Sequence, residues 1–412
     1  MLGNDNGVSR RSVLKAAGAS AGLFGASGLA AAGGESNGSK PEYEKNRDLE
    51  EGQVQVNVGF KSDRGRQKAL GAADEVVREF NSIDVVTIRA STRAVSGLRN
   101  NPNLRYVEED GTAHALAQTL PWGIDRVDAE VAHANGETGN GADIAIIDTG
   151  IDSDHPDLQS NLGSGRAFVN CNTRGGCRYG VKPANNTCHY NWDDDNDHGT
   201  HCAGIANAVN NSEGVVGVST EATLHAVKVL DKCGSGSWSD VAAGIEYVGD
   251  QGWDVGSMSL GGDASQTIKD AVSYAHSQGV TLVGAAGNDG PCTDCVGYPA
   301  AYSEVIAVSS TNDTDGLSDF SSTGPEVELA APGSDIYSSV ANNGGYDTFS
   351  GTSMACPHVA GAAGQLRANG TSQSNTRSQL KSTAEDIGLA SNESGAGLLD
   401  VAAALGLDSS DN

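Results

Sequence analysis

The chain has 412 residues, of which 38% are hydrophobic and 5% aromatic, and its 26 basic and 53 acidic residues give a formal net charge of −27. This length allows two or three domains with a packed core, and the apolar content is too high for a disordered chain. The charge would repel phosphate groups, which argues against a nucleic-acid partner, and the composition fits neither collagen nor a membrane bundle.

The charge is unevenly distributed along the chain. Residues 1–116 hold 15 basic and 15 acidic residues, so the whole acidic surplus lies in residues 117–412, together with all eight cysteines. Such acidity is compatible with ordinary solubility. Because lysines are so few, we favour adaptation to high salt, where ions screen the repulsion between acidic groups.

The N-terminal segment has the features of an export signal. Arg10 and Arg11 lie in a basic segment that precedes a charge-free run rich in Ala and Gly at residues 16–32. The run is too weakly hydrophobic for a stable membrane span, and the paired arginines resemble a twin-arginine signal. We therefore predict a signal peptide over residues 1–34, a linker over residues 35–52, and a secreted product without a stable membrane anchor.

A small α+β domain is predicted over residues 53–116. Its apolar patterns indicate strands at residues 53–60, 83–88 and 105–108, and helices at residues 68–80 and 92–98. The predicted order is strand, helix, strand, helix, strand, and the last strand is expected at an edge.

Residues 117–412 alternate between short apolar runs and helical patterns. The runs lie at residues 143–147, 224–230, 255–260, 281–286 and 305–308, with helical patterns such as 238–249 and 267–278 between them. Strands that are apolar on both faces are typical of the centre of a parallel sheet. The fold predicted is therefore α/β, a doubly wound, mostly parallel sheet with helices on both faces and a site at the carboxyl ends of its strands.

Three segments carry residues suited to nucleophilic catalysis. Asp148 ends an apolar strand, whereas His198 and Ser353 each lie at the start of a predicted helix. An imidazole can take the proton of a serine hydroxyl and return it to a leaving amine, and a buried carboxylate orients the imidazole. Asn288 ends another apolar strand and could donate its side-chain amide to an oxyanion.

The motifs around these residues resemble those of the subtilisin-like serine proteases, over about residues 117–405. They are Asp-Thr-Gly at 148–150, His-Gly-Thr-His at 198–201, Ser-Leu-Gly-Gly at 259–262, Ala-Ala-Gly-Asn at 285–288 and Gly-Thr-Ser-Met-Ala at 351–355. The secreted halophilic members of the family, the halolysin-like enzymes, are the most similar. The resemblance implies that Asp148 orients His198, that His198 is the general base and acid, and that Ser353 is the nucleophile. Asn288 and the Ser353 N–H would form the oxyanion hole.

The resemblance also implies a substrate cleft and a calcium site. An extended protein or peptide substrate would add as a β-strand, and its binding residues would be Gly234, Ser235, Gly236, Ser259, Leu260, Gly261, Gly287 and Gly297. Ca²⁺ would be held by the side chains of Gln118, Asp157 and Asn211 and by the carbonyls of Val209, Glu213 and Val215. The acidic run at residues 193–197 is either a solvated turn or a second ion site.

The resemblance further implies synthesis as a zymogen. Residues 53–116 would be an inhibitory pro-domain and residues 117–412 the peptidase domain, which we expect to be a monomer. Residues 117–123 resemble a mature subtilisin N-terminus, which predicts autoprocessing between Leu116 and Ala117. Leu116 and Ala113 would then occupy the P1 and P4 positions, which indicates a preference for apolar side chains.

The cysteines and two rival functions complete the predictions. Cys202 and Cys356 are expected to be buried free thiols. The other six could form disulfides outside the cell in an unassigned pairing; these are Cys171, Cys177, Cys188, Cys233, Cys292 and Cys295. Zinc is a lesser alternative for Cys292 and Cys295.

Two rival functions remain. They are a catalytically silent peptide-binding relative, disfavoured by the intact triad, and a metal-dependent hydrolase built on residues 193–197 and His198.

Overall fold

The computed structural model describes residues 52–110, 118–177, 184, 186–341 and 344–409. These residues belong to two compact units, which meet in sequence at Ala115 and Leu116. Within the described ranges, no helix is long and apolar enough to cross a membrane. The predicted export signal and the predicted cleavage point between Leu116 and Ala117 lie outside the described residues.

The N-terminal unit is a four-stranded antiparallel sheet with two helices. Its elements are β1 (Gln53–Phe60), α1 (Asp63–Leu70), β2 (Glu75–Glu79), β3 (Val85–Ser91), α2 (Thr92–Arg99) and β4 (Leu104–Glu109). The strand order is β2-β3-β1-β4, with β4 at an edge as predicted. Val58 and Ile88 are fully buried in the core between the sheet and the helices.

The helix predicted over residues 68–80 is wrong. The helix ends at Leu70, and residues 75–79 form β2, which pairs antiparallel with β3. The β-branched pair Val76 and Val77 favours an extended chain. The edge of β3 also offers unpaired backbone groups, and pairing with them outweighs the helical spacing of the side chains.

The C-terminal unit is built on a seven-stranded parallel sheet. Its strands are β5 (Asp143–Asp148), β6 (Arg166–Ala167), β7 (Thr223–Lys228), β8 (Val255–Met258), β9 (Thr281–Ala285), β10 (Val305–Thr311) and β11 (Val327–Pro332), in the order β11-β10-β9-β8-β5-β7-β6. A hairpin of β12 (Ile336–Val340) and β13 (Gly345–Phe349) follows. The helices are α3 (Trp122–Arg126), α4 (Ala129–Ala134), α5 (His198–Asn207), α6 (Trp238–Gln251), α7 (Gln266–Ser277), α8 (Thr352–Ala368), α9 (Gln373–Ser382), α10 (Ser391–Ser394) and α11 (Val401–Ala404).

Helices cover both faces of this sheet, which confirms the predicted α/β fold. Along β5, Ile144 and Ile146 face a core shared with α5 and α8. Ala145 and Ile147 face a second core shared with α6 and α7. Successive side chains of a strand point to opposite faces, so the apolar run at the start of β5 reflects burial on both sides.

Cysteines pair in the C-terminal unit and leave two buried thiols. In the described ranges the disulfides are Cys171–Cys188, Cys177–Cys233 and Cys292–Cys295. Cys202 and Cys356 are free and buried, as predicted. The bond between Cys292 and Cys295 leaves no thiolate there for the alternative zinc site.

Candidate active site

The carboxyl end of β5 brings Asp148 to the first residue of α5. Nδ1 of His198 and Oδ1 of Asp148 are 2.8 Å apart. The side chain of Asp148 is fully buried, whereas that of His198 is 28% exposed. With Nδ1 engaged by the carboxylate, Nε2 is the ring nitrogen left for a substrate or a nucleophile.

Ser353 lies in the first turn of α8, next to the helix that begins at His198. Its hydroxyl donates to the carbonyl of Ser259 at 3.3 Å, and the hydroxyl of Ser259 donates to the carbonyl of Ser353 at 2.8 Å. The thiol of Cys202 also donates to the carbonyl of Ser353, at 3.4 Å, and its sulfur lies 4.0 Å from Nδ1 of His198. One sulfur atom therefore contacts both the histidine ring and the backbone of the serine.

The electrostatics of the two motif histidines differ. Burial disfavours the imidazolium of His198, but the charge of Asp148 and its hydrogen bond outweigh burial and raise the pKa of His198 well above its usual value. Burial lowers the pKa of His201 to about 3, and its Nε2 lies 3.0 Å from the carbonyl of Ile336. Of the two rings, His198 is therefore the one suited to hold and release a proton.

Asn288 lies beside the turn that carries Ser353. Its Oδ1 accepts from the N–H of Thr352 at 2.9 Å and from the hydroxyl of Thr352 at 3.0 Å. Its Nδ2 stands 3.5 Å from the position that a β-carbon on Gly351 would occupy. The oxygen of the amide is thus fixed by α8, and its nitrogen is a donor at the start of the same helix.

A cleft of about 560 Å³ contains His198 and most of the predicted substrate residues. Those found in its lining are Gly234, Ser235, Gly236, Ser259, Leu260 and Gly261. Gly287 and Gly297 lie outside this lining; Gly297 donates its N–H to the carbonyl of Ala286 at 2.8 Å. The sequence analysis did not identify Thr149, Leu230, Trp238 and Val241, which also line the cleft. Their sequence signals were the Asp-Thr-Gly motif for Thr149, the apolar run at residues 224–230 for Leu230, and the helical pattern at residues 238–249 for Trp238 and Val241.

The predicted calcium ligands meet at one place in the C-terminal unit. Nε2 of Gln118 lies 2.7 Å from the carbonyl of Val209 and 3.0 Å from that of Val215. Asp157 is fully buried and accepts from Nδ2 of Asn211 at 3.2 Å and from the N–H of Val215 at 2.8 Å. The oxygen of the Asn211 amide accepts from the N–H of Glu213 at 2.7 Å.

These contacts fit a hard cation. A half-turn of the Gln118 amide replaces Nε2 by Oε1 and leaves three oxygen atoms facing one another. A buried carboxylate, two amides and backbone carbonyls are the ligand types that Ca²⁺ takes.

The solvated turn considered for residues 193–197 is wrong. Asp193, Asp194 and Asp195 are all fully buried. Asp195 is paired with the buried ammonium of Lys228 at 2.6 Å, and the carboxylate of Asp194 accepts from the N–H and the hydroxyl of Thr200 in the first turn of α5. The sequence signal for the ion pair between Asp195 and Lys228 was the position of Lys228 inside the apolar run at residues 224–230.

Comparisons with known proteins agree with this geometry. Residues 139–397 match the Subtilase family. Subtilisin E of Bacillus subtilis is 39% identical over 359 residues, which cover 84% of this chain and 89% of the relative. An alkaline protease of Alkalihalobacillus alcalophilus is 41% identical over 333 residues, covering 80% of this chain and 81% of the relative. A thermostable alkaline protease of Halalkalibacterium halodurans is 39% identical over 317 residues, which cover 76% of this chain and 81% of the relative.

The chain belongs to the subtilase family and is a subtilisin-like serine endopeptidase. This confirms the predicted reaction class and sets aside the silent peptide-binding relative and the metal-dependent hydrolase.

Proposed function

We infer that Ser353 attacks the scissile carbonyl of a protein or peptide substrate while Nε2 of His198 takes the hydroxyl proton. The new C–O bond gives a tetrahedral intermediate, and the imidazolium then returns the proton to the leaving amine as the C–N bond breaks. Water hydrolyses the acyl-enzyme by the same proton transfers. Asp148 orients the ring and stabilises its charged form through the bond to Nδ1.

Nδ2 of Asn288 and the N–H of Ser353 stabilise the negative charge that develops on the carbonyl oxygen. The N–H of Ser353 is in the first turn of α8, where backbone donors have no partner within the helix. The bonds from Thr352 fix Oδ1 of Asn288 and leave the amide nitrogen free to donate at the start of α8. Donors fixed in this way cost no reorganisation when the charge appears.

The 2.8 Å bond between His198 and Asp148, at the cleft that Ser259 also lines, is the observation that carries this proposal. A serine-directed phosphonylating reagent tests it, with the labelled peptide identified by mass spectrometry. The expected result is one label on Ser353, and Ser353→Ala is expected to abolish peptide hydrolysis and maturation. Hydrolysis by Ser353→Ala, or a label on another residue, contradicts the assignment.

The substrate lies in the cleft as an extended strand between Gly234, Ser235 and Gly236 on one side and Ser259, Leu260 and Gly261 on the other. Leu230, Trp238 and Val241 supply apolar surface to the same cleft. This agrees with a preference for apolar side chains such as those of Leu116 and Ala113. Gly287 and Gly297 are assigned to substrate binding from the resemblance alone, with Gly297 beside a large P1 side chain.

The enzyme is made as an exported zymogen. Residues 1–34 direct twin-arginine export, residues 53–116 inhibit the peptidase, and the enzyme cleaves its own chain between Leu116 and Ala117. The division of the described residues into two compact units, with residues 52–110 in one and residues from Gln118 onward in the other, supports this organisation. N-terminal sequencing of the active enzyme is expected to begin at Ala117, and a start beyond Trp122 contradicts this cleavage point.

Calcium and salt stabilise the mature enzyme. Gln118, Asp157 and Asn211, with the carbonyls of Val209, Glu213 and Val215, hold one Ca²⁺, which ties the start of the peptidase domain to the loop after α5. The ion supplies only structural stability. The net charge of −27 supports activity at high salt, because ions screen the repulsion between acidic groups.

A further inference from the structure

The first turn of α5 is held by side chains outside the helix. The preceding residue, Asp197, makes no side-chain cap. Instead, Oδ2 of Asp194 accepts from the N–H of Thr200 at 2.9 Å, and the hydroxyl oxygen of Thr149 accepts from the N–H of Gly199 at 2.8 Å. Because the first N–H groups of a helix have no partner within it, these acceptors replace the usual N-cap.

Thr149 connects this turn to the end of β5. Its N–H donates to Oδ1 of Asp148 at 2.7 Å, and its hydroxyl donates to Oδ1 of Asp194 at 2.8 Å. Its carbonyl accepts from the ammonium of Lys228 at 2.5 Å, and that ammonium is paired with Asp195. Thr149 is fully buried, so all of its polar groups are fixed within the protein.

The contact between strand and helix is as close as the backbone permits. A β-carbon on Gly199 would stand 2.1 Å from the carbonyl oxygen of Gly150. Asp194, which is fully buried, accepts five hydrogen bonds between 2.7 and 3.3 Å from Thr149, Thr200 and two further backbone N–H groups. The start of α5 therefore cannot move without breaking bonds to the residue that follows Asp148.

We propose that Asp194 and Thr149 are positioning residues that hold the ring of His198 in the orientation required by its hydrogen bond to Asp148. The inference rests on the catalytic roles proposed above for Asp148 and His198. Thr149 borders the cleft, but its side chain and that of Asp194 are fully buried, so both act through Asp148 and His198. A shift of about 1 Å in catalytic groups can lower a rate by about 100-fold, so a loosened turn lowers kcat and leaves KM nearly unchanged.

The test uses the full-length chain, matured and titrated with the phosphonylating reagent so that kcat refers to active enzyme. Thr149→Val removes the hydroxyl at nearly constant shape, Thr149→Ser restores it, and Asp194→Asn replaces one acceptor by a donor that faces the N–H of Thr200. Asp154→Asn is the matched charge control, because its side chain is 59% exposed and outside this network. The proton resonance of the Asp148–His198 hydrogen bond is followed by NMR.

We expect Thr149→Val and Asp194→Asn to lower kcat by about 10- to 100-fold with KM within about twofold, and to broaden or remove the resonance. Thr149→Ser is expected to have most of the wild-type kcat and of the wild-type resonance. Wild-type kcat and an unchanged resonance in Thr149→Val overturn the inference. Failure of Thr149→Val to fold, measured by circular dichroism of the unprocessed chain, where Thr149→Ser and the inactive Ser353→Ala both fold, assigns the hydroxyl to folding and also overturns it. Absence of labelling at Ser353 in the wild-type enzyme instead contradicts the proposed function.

Discussion

Asp148 holds His198 through one of its two carboxylate oxygens. Oδ1 accepts from Nδ1 at 2.8 Å, whereas Oδ2 is buried and has no hydrogen-bond partner among the residues that the structure describes. The carboxylate is therefore shielded from water, and its charge acts strongly on the adjacent imidazole.

The pH dependence of kcat/KM follows from this pair. The general base must be neutral to take a proton, so activity is lost as the pH falls through the pKa of His198. That pKa is raised well above its usual value, so we expect the acidic limb above about pH 6.5 and an alkaline optimum. An acidic limb well below that pH contradicts the prediction.

Asp148→Asn tests the cause of that raised pKa. The amide removes the negative charge, so the acidic limb is expected to move to lower pH while kcat falls by about 10⁴-fold. Asp154→Asn, on an exposed carboxylate, is the control and is expected to leave the limb in place. An acidic limb that stays in place in Asp148→Asn shows that another group raises the pKa.

Local patterns in the sequence predicted the strand that carries Asp148, but they could not predict which acidic residues are buried. The run at residues 143–147 is apolar because both faces of β5 are covered. The burial of Asp194 and Asp195 depends on Thr149 and Lys228, which are distant in sequence. A charged run gives no local signal for such partners, and for the same reason helical spacing at residues 68–80 could not reveal that β3 pairs with residues 75–79.

Asn288→Asp distinguishes the role of the amide nitrogen of Asn288 from that of its amide oxygen. Aspartate retains an oxygen for the bonds from Thr352 but replaces the donor nitrogen by a negatively charged acceptor. We expect kcat to fall by about 10²- to 10³-fold with a small change in KM, measured on an active-site-titrated enzyme. Equal kcat in wild type and Asn288→Asp contradicts a role for Nδ2.

Calcium dependence of thermal stability tests the predicted ion site. With Ca²⁺ at about 100 times its Kd, binding stabilises the folded state by about 2.7 kcal/mol, which raises Tm by about 5–10 °C. Phosphonylated enzyme avoids autolysis during the measurement. Asp157→Asn, at the fully buried carboxylate, is expected to abolish the shift, whereas Asp263→Asn, at an exposed one, is expected to retain it. A shift that persists in Asp157→Asn places the ion elsewhere.

The disulfides are expected to differ in their contribution to stability. Cys177 and Cys233 are 56 residues apart, whereas Cys292 and Cys295 are separated by 3. Loop-closure entropy then predicts a loss of about 4 kcal/mol for Cys177→Ser/Cys233→Ser and less than about 2 kcal/mol for Cys292→Ser/Cys295→Ser. Denaturant unfolding of phosphonylated enzyme measures both.

The same Cys177→Ser/Cys233→Ser variant is expected to raise KM. Cys233 lines the cleft next to Gly234, and the disulfide ties this edge to residues 171–177. Peptide hydrolysis by matured enzyme measures the change. An unchanged KM would show that the side of the cleft at Gly234 keeps its position without the disulfide.

Salt dependence tests whether the acidic surplus is an adaptation. Raising KCl from 0.1 to 1 M shortens the screening length from about 10 to about 3 Å, so Tm and kcat/KM are expected to rise. Replacing the exposed Asp263, Asp313 and Asp319 by Lys is expected to lower the KCl concentration at which Tm and kcat/KM reach their maximum. Sucrose strengthens burial without screening charge, so an equal rise of Tm in sucrose and in KCl attributes the effect to burial and contradicts the electrostatic explanation.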